Sequence, residues 1–160
     1  DALERRDGPT ALVLSRQGTQ HHARNPEQLA QIRHGGYVLR DGDSPPDAVL
    51  IASGTEVELA VLAAERLESE GRSIRVVSMP NPGRFEAQED EYRESVLPQS
   101  VPTRVAIEAG VSHYWRGIVG DHGRVIGVDR FGASAPAGAL FEEFGFTVKR
   151  VCEVVQELLG

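Results

Sequence analysis

The apolar pentad Ala48-Val-Leu-Ile-Ala52 constrains the fold more than any other stretch, because it has no polar face to turn to water. A strand of this composition must be covered on both sides, as a central strand of a parallel sheet is. The punctuation of a helix follows it. Ser53-Gly54 interrupts the run, and Thr55-x-x-Glu58 matches a capping box, in which a hydroxyl and a carboxylate satisfy exposed backbone N–H groups at a helix start. Val57, Ala60, Val61, Ala64 and Leu67 then recur at helical spacing, while Glu65, Arg66 and Glu68 fall elsewhere. Gly71 ends the helix, Ile74-Arg-Val-Val-Ser-Met79 supplies the next strand, and Pro80 and Pro82 stop it. A crossover of this length joins neighbouring parallel strands in a right-handed βαβ unit.

The alternation continues. A helical stretch is predicted from Phe85 to Val96, a strand at Arg104-Val-Ala-Ile-Glu108, a short helix from His113 to Val119 and a strand at Val125-Ile-Gly-Val128. In the run Phe131 to Thr147, Ser134 is placed to cap a helix, Pro136 suits its first turn, Gly145 closes it, and Leu140, Phe141 and Phe144 pack it. Val148, Val151, Val155, Leu158 and Leu159 fall on one side of a final helix whose other side carries Lys149, Arg150, Glu153 and Glu157. Upstream, Thr10-Ala-Leu-Val-Leu-Ser15 reads as a buried strand, Gln17 to Pro26 as a surface linker, and Gln28 to Arg33 as a helical turn. Tyr37-Val-Leu39 reads as a first short strand after Gly35-Gly36, and Asp41-Gly-Asp-Ser-Pro-Pro46 as a turn-rich loop. The expected fold class is α/β: a three-layer α/β/α sandwich with a mixed, mainly parallel five-stranded sheet, built from the runs at Tyr37, Ala48, Ile74, Arg104 and Val125.

The 160 residues suffice for one compact α/β unit, and no apolar run approaches the ~20 residues needed to span a bilayer. A net charge of -7, with the arginines scattered, opposes attraction to nucleic acid. Cys152 is the only cysteine, so no internal disulfide can form and no cysteine cluster can hold a metal. A reducing cytoplasm is the simplest setting, and Cys152 reads as a small hydrophobe of the last helix. The opening Asp1-Ala-Leu-Glu-Arg-Arg has neither the basic nor the apolar region of a signal peptide, and the start without methionine fits an excised or processed piece.

Self-contained catalytic motifs are missing: there is no phosphate loop ending in Gly-Lys-Ser/Thr, no His-Glu-x-x-His and no Gly-x-Ser-x-Gly. His21 and His22 fall in the linker, where adjacent side chains point apart, and His34 and His122 lie beside turn glycines. Solvation, not metal binding, is their reading. His113-Tyr-Trp115 follows a strand end, where α/β folds bind ligands, although packing of a layer or a subunit contact accounts for it as well. Glu108 pairs or caps locally, or serves as a buried acid, and the Gly54-Thr55 helix start attracts an anion or is simply capped. Arg16 stands apart because it ends a strand, so its planar fork would project from the rim of a sheet, either to grip two phosphate oxygens or to form a surface ion pair.

Several stretches, in order, resemble the C-terminal part of transketolases: Gly8-Pro-Thr-Ala-Leu-Val-Leu-Ser-Arg-Gln17, Gly35-Gly-Tyr-Val-Leu39, Ala52-Ser-Gly-Thr-Glu-Val-Glu-Leu-Ala60, Arg75-Val-Val-Ser-Met-Pro80, Tyr92-Arg-Glu-Ser-Val-Leu-Pro98, Val105-Ala-Ile-Glu-Ala-Gly110 and the run from Phe131 to Thr147. The resemblance implies a homodimeric enzyme that uses thiamine diphosphate and Mg to move a two-carbon ketol unit from a ketose phosphate to an aldose phosphate in the pentose phosphate pathway. On that reading residues 1–34 are the end of the pyrimidine-binding domain plus a linker, and 35–160 are the C-terminal domain. The family's diphosphate-and-metal module and activating glutamate belong to earlier sequence, so the piece alone is expected to be inactive, to bind no cofactor and to serve a structural or regulatory role. One site residue carries over. The arginine of the family's Leu-Ser-Arg-Gln motif, which contacts substrate phosphate, corresponds to Arg16; no catalytic, cofactor-binding or metal-binding residue does. Gly18-Thr19 and Asn81-Pro-Gly-Arg84 depart from commoner family wording, which bears on loop shape and substrate preference. The C-terminal domain of deoxyxylulose phosphate synthase or of a ketoacid dehydrogenase beta-type subunit, and a standalone binding module, are the alternatives, and the upstream reading frame separates the last of these.

Overall fold

Five short apolar runs pair into one sheet in the computed structural model, which describes residues 3–16 and 18–160. The strands are β1 (Tyr37–Arg40), β2 (Ala48–Ala52), β3 (Ile74–Ser78), β4 (Arg104–Ile107) and β5 (Arg124–Ile126), in the spatial order β1-β3-β2-β4-β5. β2, β3, β4 and β5 run parallel, and β1 lies antiparallel on the β3 edge with Tyr37 opposite Ser78. This is the expected mixed, mainly parallel sheet. All five residues of β2 are buried, as an apolar pentad in the middle of a covered sheet must be.

Alternate side chains of each strand feed two cores. Leu50, Val76, Val105 and Ile107 meet the helices α2 (Glu56–Ser69) and α7 (Val148–Leu159) through Ala60, Ala64, Leu67, Val151 and Val155. Val49, Ile51, Val77 and Ala106 meet α3 (Pro82–Glu86), α4 (Asp90–Val96) and α5 (His113–Val119) through Phe85, Val96, Trp115 and Ile118. The result is three layers. Two further helices, α1 (Pro26–Gln31) and α6 (Ala137–Glu143), bury no residue completely. α1 carries a capping box in which the Asn25 side chain accepts from the Gln28 amide and the Gln28 side chain accepts from the Asn25 amide.

Four local expectations are corrected. Thr10–Ser15 forms no strand: Leu12, Val13 and Leu14 are 74%, 94% and 84% exposed, because no neighbouring strand is present to take up their backbone groups. The Thr55-x-x-Glu58 capping box does not form. Thr55 is itself helical in φ and ψ, its hydroxyl bonds the Glu56 carboxylate, and the Glu56 amide donates to the Ser53 carbonyl. The stretch from Phe85 to Val96 is two helices, broken after Glu86, since Asn81 caps the first and only Phe85 of that helix reaches the core. Ser134 does not cap α6; Pro136 occupies the cap position with extended ψ and α6 has no side-chain cap bond, while Gly145, at φ +79, does follow its end.

Candidate functional site

The two crossovers from the sheet centre diverge: β3 lies on one side of β2 and β4 on the other, so the carboxyl ends of β2 and β4 flank a topological switch point. Open α/β sheets offer their ligand crevice at such a point. Here a polar cluster fills it. Ser53, just past β2, donates its hydroxyl to Glu108 Oε2, just past β4, at 2.6 Å. The next residue, Gly54, turns the chain with φ +54 and brings Glu56, only 5% exposed, to the same edge.

Both carboxyls are raised above their ordinary range. Burial is the main cause for Glu56, countered by the Thr55 hydroxyl. Burial is also the main cause for Glu108, which the Ser53 bond counters and the nearby charge of Glu56 reinforces. A raised acid is neutral at low pH in both the folded and the unfolded chain, so no stability is lost there. As pH rises through the unfolded value the unfolded chain ionises first, and folded stability falls. Glu108→Gln keeps an acceptor for Ser53 and removes the half-buried charge. Its melting temperature is therefore expected to exceed that of the wild type at pH 7, with the gain vanishing below the ordinary carboxylate range, which thermal melts across pH will check.

Chemically the cluster repels anions, so the α2 start is no ready phosphate seat on the Glu56 side. Glu108 shows the local pairing anticipated for it, with Ser53, and is half-buried. Glu56, which supplies the second carboxylate, carries no sequence signal, because its approach depends on the turn at Gly54. The neighbouring loop is set by Asp129, whose carboxylate accepts the Ser112 amide at 2.9 Å and hydroxyl at 2.6 Å, contacts that hold it below the ordinary range.

The remaining candidates are scattered. Arg16 is exposed on a bend, with no strand formed before it, and Gln17 of the same motif lies outside the described residues. His21 and His122 are exposed. His34 meets Tyr92 edge to face at 4.5 Å, with Nδ1 unpartnered. Among the described residues no group of three or more His, Cys, Asp or Glu could hold a metal ion. In His113-Tyr-Trp115 the packing reading holds for Trp115, buried in the second core, while Tyr114 donates to Glu86 at 2.8 Å. Cys152 is buried against the Ala63 carbonyl, and burial pushes its thiol up, away from reactivity. Among the described residues no helix is long and apolar enough to cross a membrane.

Comparison with known proteins places this arrangement. The family described as Transketolase-like TK C-terminal domain matches residues 35–147. Transketolase 1 of Vibrio vulnificus strain YJ016 is 54% identical over 159 residues, covering 99% of this chain and 24% of that protein. Transketolase 1 of Escherichia coli K12 is 55% identical over 157 residues, covering 98% and 24%. Among solved structures, transketolase from Leishmania mexicana superposes with a TM-score of 0.73 at 45% identity, over 82% of this chain and 19% of that one. A Pichia stipitis transketolase in complex with sedoheptulose-7-phosphate gives 0.74 at 34% identity, over the same shares. The chain thus spans about a quarter of the length of these curated relatives. It belongs to the transketolase family, as its C-terminal part.

Proposed function

We propose that this chain is the C-terminal part of a cytoplasmic, homodimeric transketolase, which moves a two-carbon ketol unit from a ketose phosphate to an aldose phosphate in the pentose phosphate pathway. Identity above 50% along nearly the whole chain to two transketolases carries the reading. Residues 1–34 would be the end of the pyrimidine-binding domain plus linker, and 35–160 the C-terminal domain. The exposed Leu12-Val-Leu14 run supports this division, since it has the composition of a strand whose sheet lies in the rest of the protein.

Thiamine diphosphate and Mg do not fit the residues present. The polar edge of the sheet carries Glu56 and Glu108, which repel a diphosphate, and no described cluster has three metal donors. The rest of the protein would hold the cofactor, and this chain alone would support the assembly without catalysing the reaction. Its contribution to the substrate is Arg16. The guanidinium would hold the sugar phosphate through two parallel hydrogen bonds and so fix the position of the reacting carbon.

In the full-length enzyme, Arg16→Ala is expected to lower kcat/KM for phosphorylated substrates about ten- to a hundredfold, the loss of roughly 1.5–3 kcal/mol from a charge-assisted contact, with a much smaller loss for an unphosphorylated sugar. Arg16→Lys should recover part of it, because charge is kept and the planar grip is not. An unchanged ratio between the two substrate classes would leave Arg16 as a surface or domain-contact residue.

A further inference from the structure

Within the exposed linker, His22 and Arg24 are half-buried. Residues 19–22 and Arg24 line, with Tyr37, Ser78 and the first turn of α2, an open-sided cavity of about 550 Å³ at the carboxyl edge of the sheet on the β1-β3-β2 side. That volume suits a small metabolite, and the cavity lies past the carboxyl ends of β2 and β3, beside the switch point rather than in it.

The lining has an unusual charge. Arg24 is half-buried, and its guanidinium is held in place by donating Nε to the Tyr37 hydroxyl at 2.6 Å and Nη1 to the His22 carbonyl at 2.7 Å. Its carbon also lies 5.9 Å from the Tyr37 ring centroid. Arg40, Arg75, Arg130 and Arg150 each pair with a carboxylate, whereas Arg24 has no such partner among the described residues. A second polar group on the same wall is unsatisfied: His22 Nε2 is shut from solvent and has no hydrogen-bond partner. A guanidinium clamped in place without a counter-ion, beside an imidazole nitrogen without a partner, calls for an anion with several acceptor oxygens.

The other wall limits what that anion can be. Tyr37, Thr55 and Ser78 offer hydroxyls, and Glu58 adds a carboxylate that accepts from hydroxyl groups and repels further negative charge. We propose that this cavity binds a small phosphate monoester of a polyol, its phosphate drawn to Arg24 and His22 and its hydroxyls set against Thr55, Ser78 and Glu58. The charge of Glu58 disfavours a nucleoside triphosphate, which carries several negative charges.

Titration of the 160-residue chain with glycerol 3-phosphate, followed by amide NMR, tests the site directly. Saturable shifts at residues 20–24 and 54–58 are expected, with a Kd of about 1 mM or tighter. Arg24→Ala should weaken binding about tenfold or more. Because that change also frees the Tyr37 hydroxyl, Glu58→Gln provides a variant that leaves the clamp intact, and it should tighten binding about threefold by removing the repulsion. Arg16→Ala should leave binding unchanged, so this result and the role of Arg16 stand or fall separately. Absence of saturable shifts up to about 20 mM would overturn the proposal. So would equal binding of glycerol or lactate, insensitivity to Arg24→Ala, or a loss that follows Arg16→Ala instead.

Discussion

Gly35→Ala is expected to destabilise the chain by about 2–5 kcal/mol, combining a strained backbone with a clash that cannot relax cheaply. Gly35 sits at φ +90 and ψ -21, closing the short 3-10 turn Ile32–His34 that leads into β1. An L side chain in such a conformation costs about 1–2 kcal/mol by itself. A Cβ would also stand 2.3 Å from the Asn81 carbonyl oxygen and 2.7 Å from the Phe85 amide nitrogen, backbone atoms of the cap and the body of α3. Displacing them would strain the bond from the Asn81 amide to the Gly35 carbonyl, 2.9 Å long, and the burial of Phe85. Overpacking of this kind adds about 1–3 kcal/mol.

Two neighbouring substitutions separate the contributions. Gly71 has φ +88 with nothing within 4 Å of a Cβ, so Gly71→Ala should show the backbone strain alone, about 1–2 kcal/mol. Gly36→Ala meets only the Met79 methyl and the Phe85 ring, at 3.0 Å, side-chain atoms that can shift. Its cost should lie below that of Gly35→Ala. Urea denaturation of the three variants gives the order, and a Gly35→Ala midpoint no lower than that of Gly71→Ala would rule out the clash with α3.

The strands were legible in the sequence because each is an apolar run short enough to be one strand and bounded by Gly, Pro or polar residues. Ala48–Ala52 and Ile74–Ser78 are buried as their composition requires, and the α2 and α7 stripes fall on the expected residues. Thr10–Ser15 has the same local character and a different outcome, because a strand needs a partner and an apolar run says nothing about which partner is at hand. The missed helix details have a similar origin. The Thr55 hydroxyl has two suitors, a backbone amide and the Glu56 carboxylate, and the turn at Gly54 decides for the carboxylate.

The candidate site was less legible, since it joins residues far apart in the chain. Ser53 and Glu108 meet only because β2 and β4 are neighbours, and that adjacency follows from the reversal of strand order, not from either segment. Arg24 was invisible for another reason: in a polar linker it is indistinguishable from a solvated arginine until Tyr37 and the His22 carbonyl fix it. Arg16 could be singled out only through resemblance, as its exposed bend has no geometry of its own that points to phosphate.

Arg104→Ala should cost about 3 kcal/mol, or a fall of about 6–12 °C in Tm for a chain of this size. The side chain leaves the start of β4 and donates to four backbone carbonyls: Val101 at 3.2 Å, Ile118 at 3.2 Å, Leu97 at 3.0 Å and Pro98 at 2.9 Å. Leu97 and Pro98 close α4, and Ile118 belongs to the last turn of α5, so one guanidinium satisfies the exposed carbonyl ends of two helices on the same face of the sheet. Burial lowers its pKa, and the charge of Glu94 opposes that only in part. No carboxylate is bonded to it among the described residues, and its value lies in the carbonyls it satisfies. Alanine would leave those oxygens to compete for whatever water can enter. Lysine, with three donors on one nitrogen, cannot span groups that approach the guanidinium from three of its edges, and Arg104→Lys should recover less than half of the loss. Hydrogen exchange gives a second readout: amides of the α4 and α5 ends should lose protection before those of β2 and β3. A variant with wild-type Tm, or with uniform loss of protection across the sheet, would show that the two helix ends are held by packing alone.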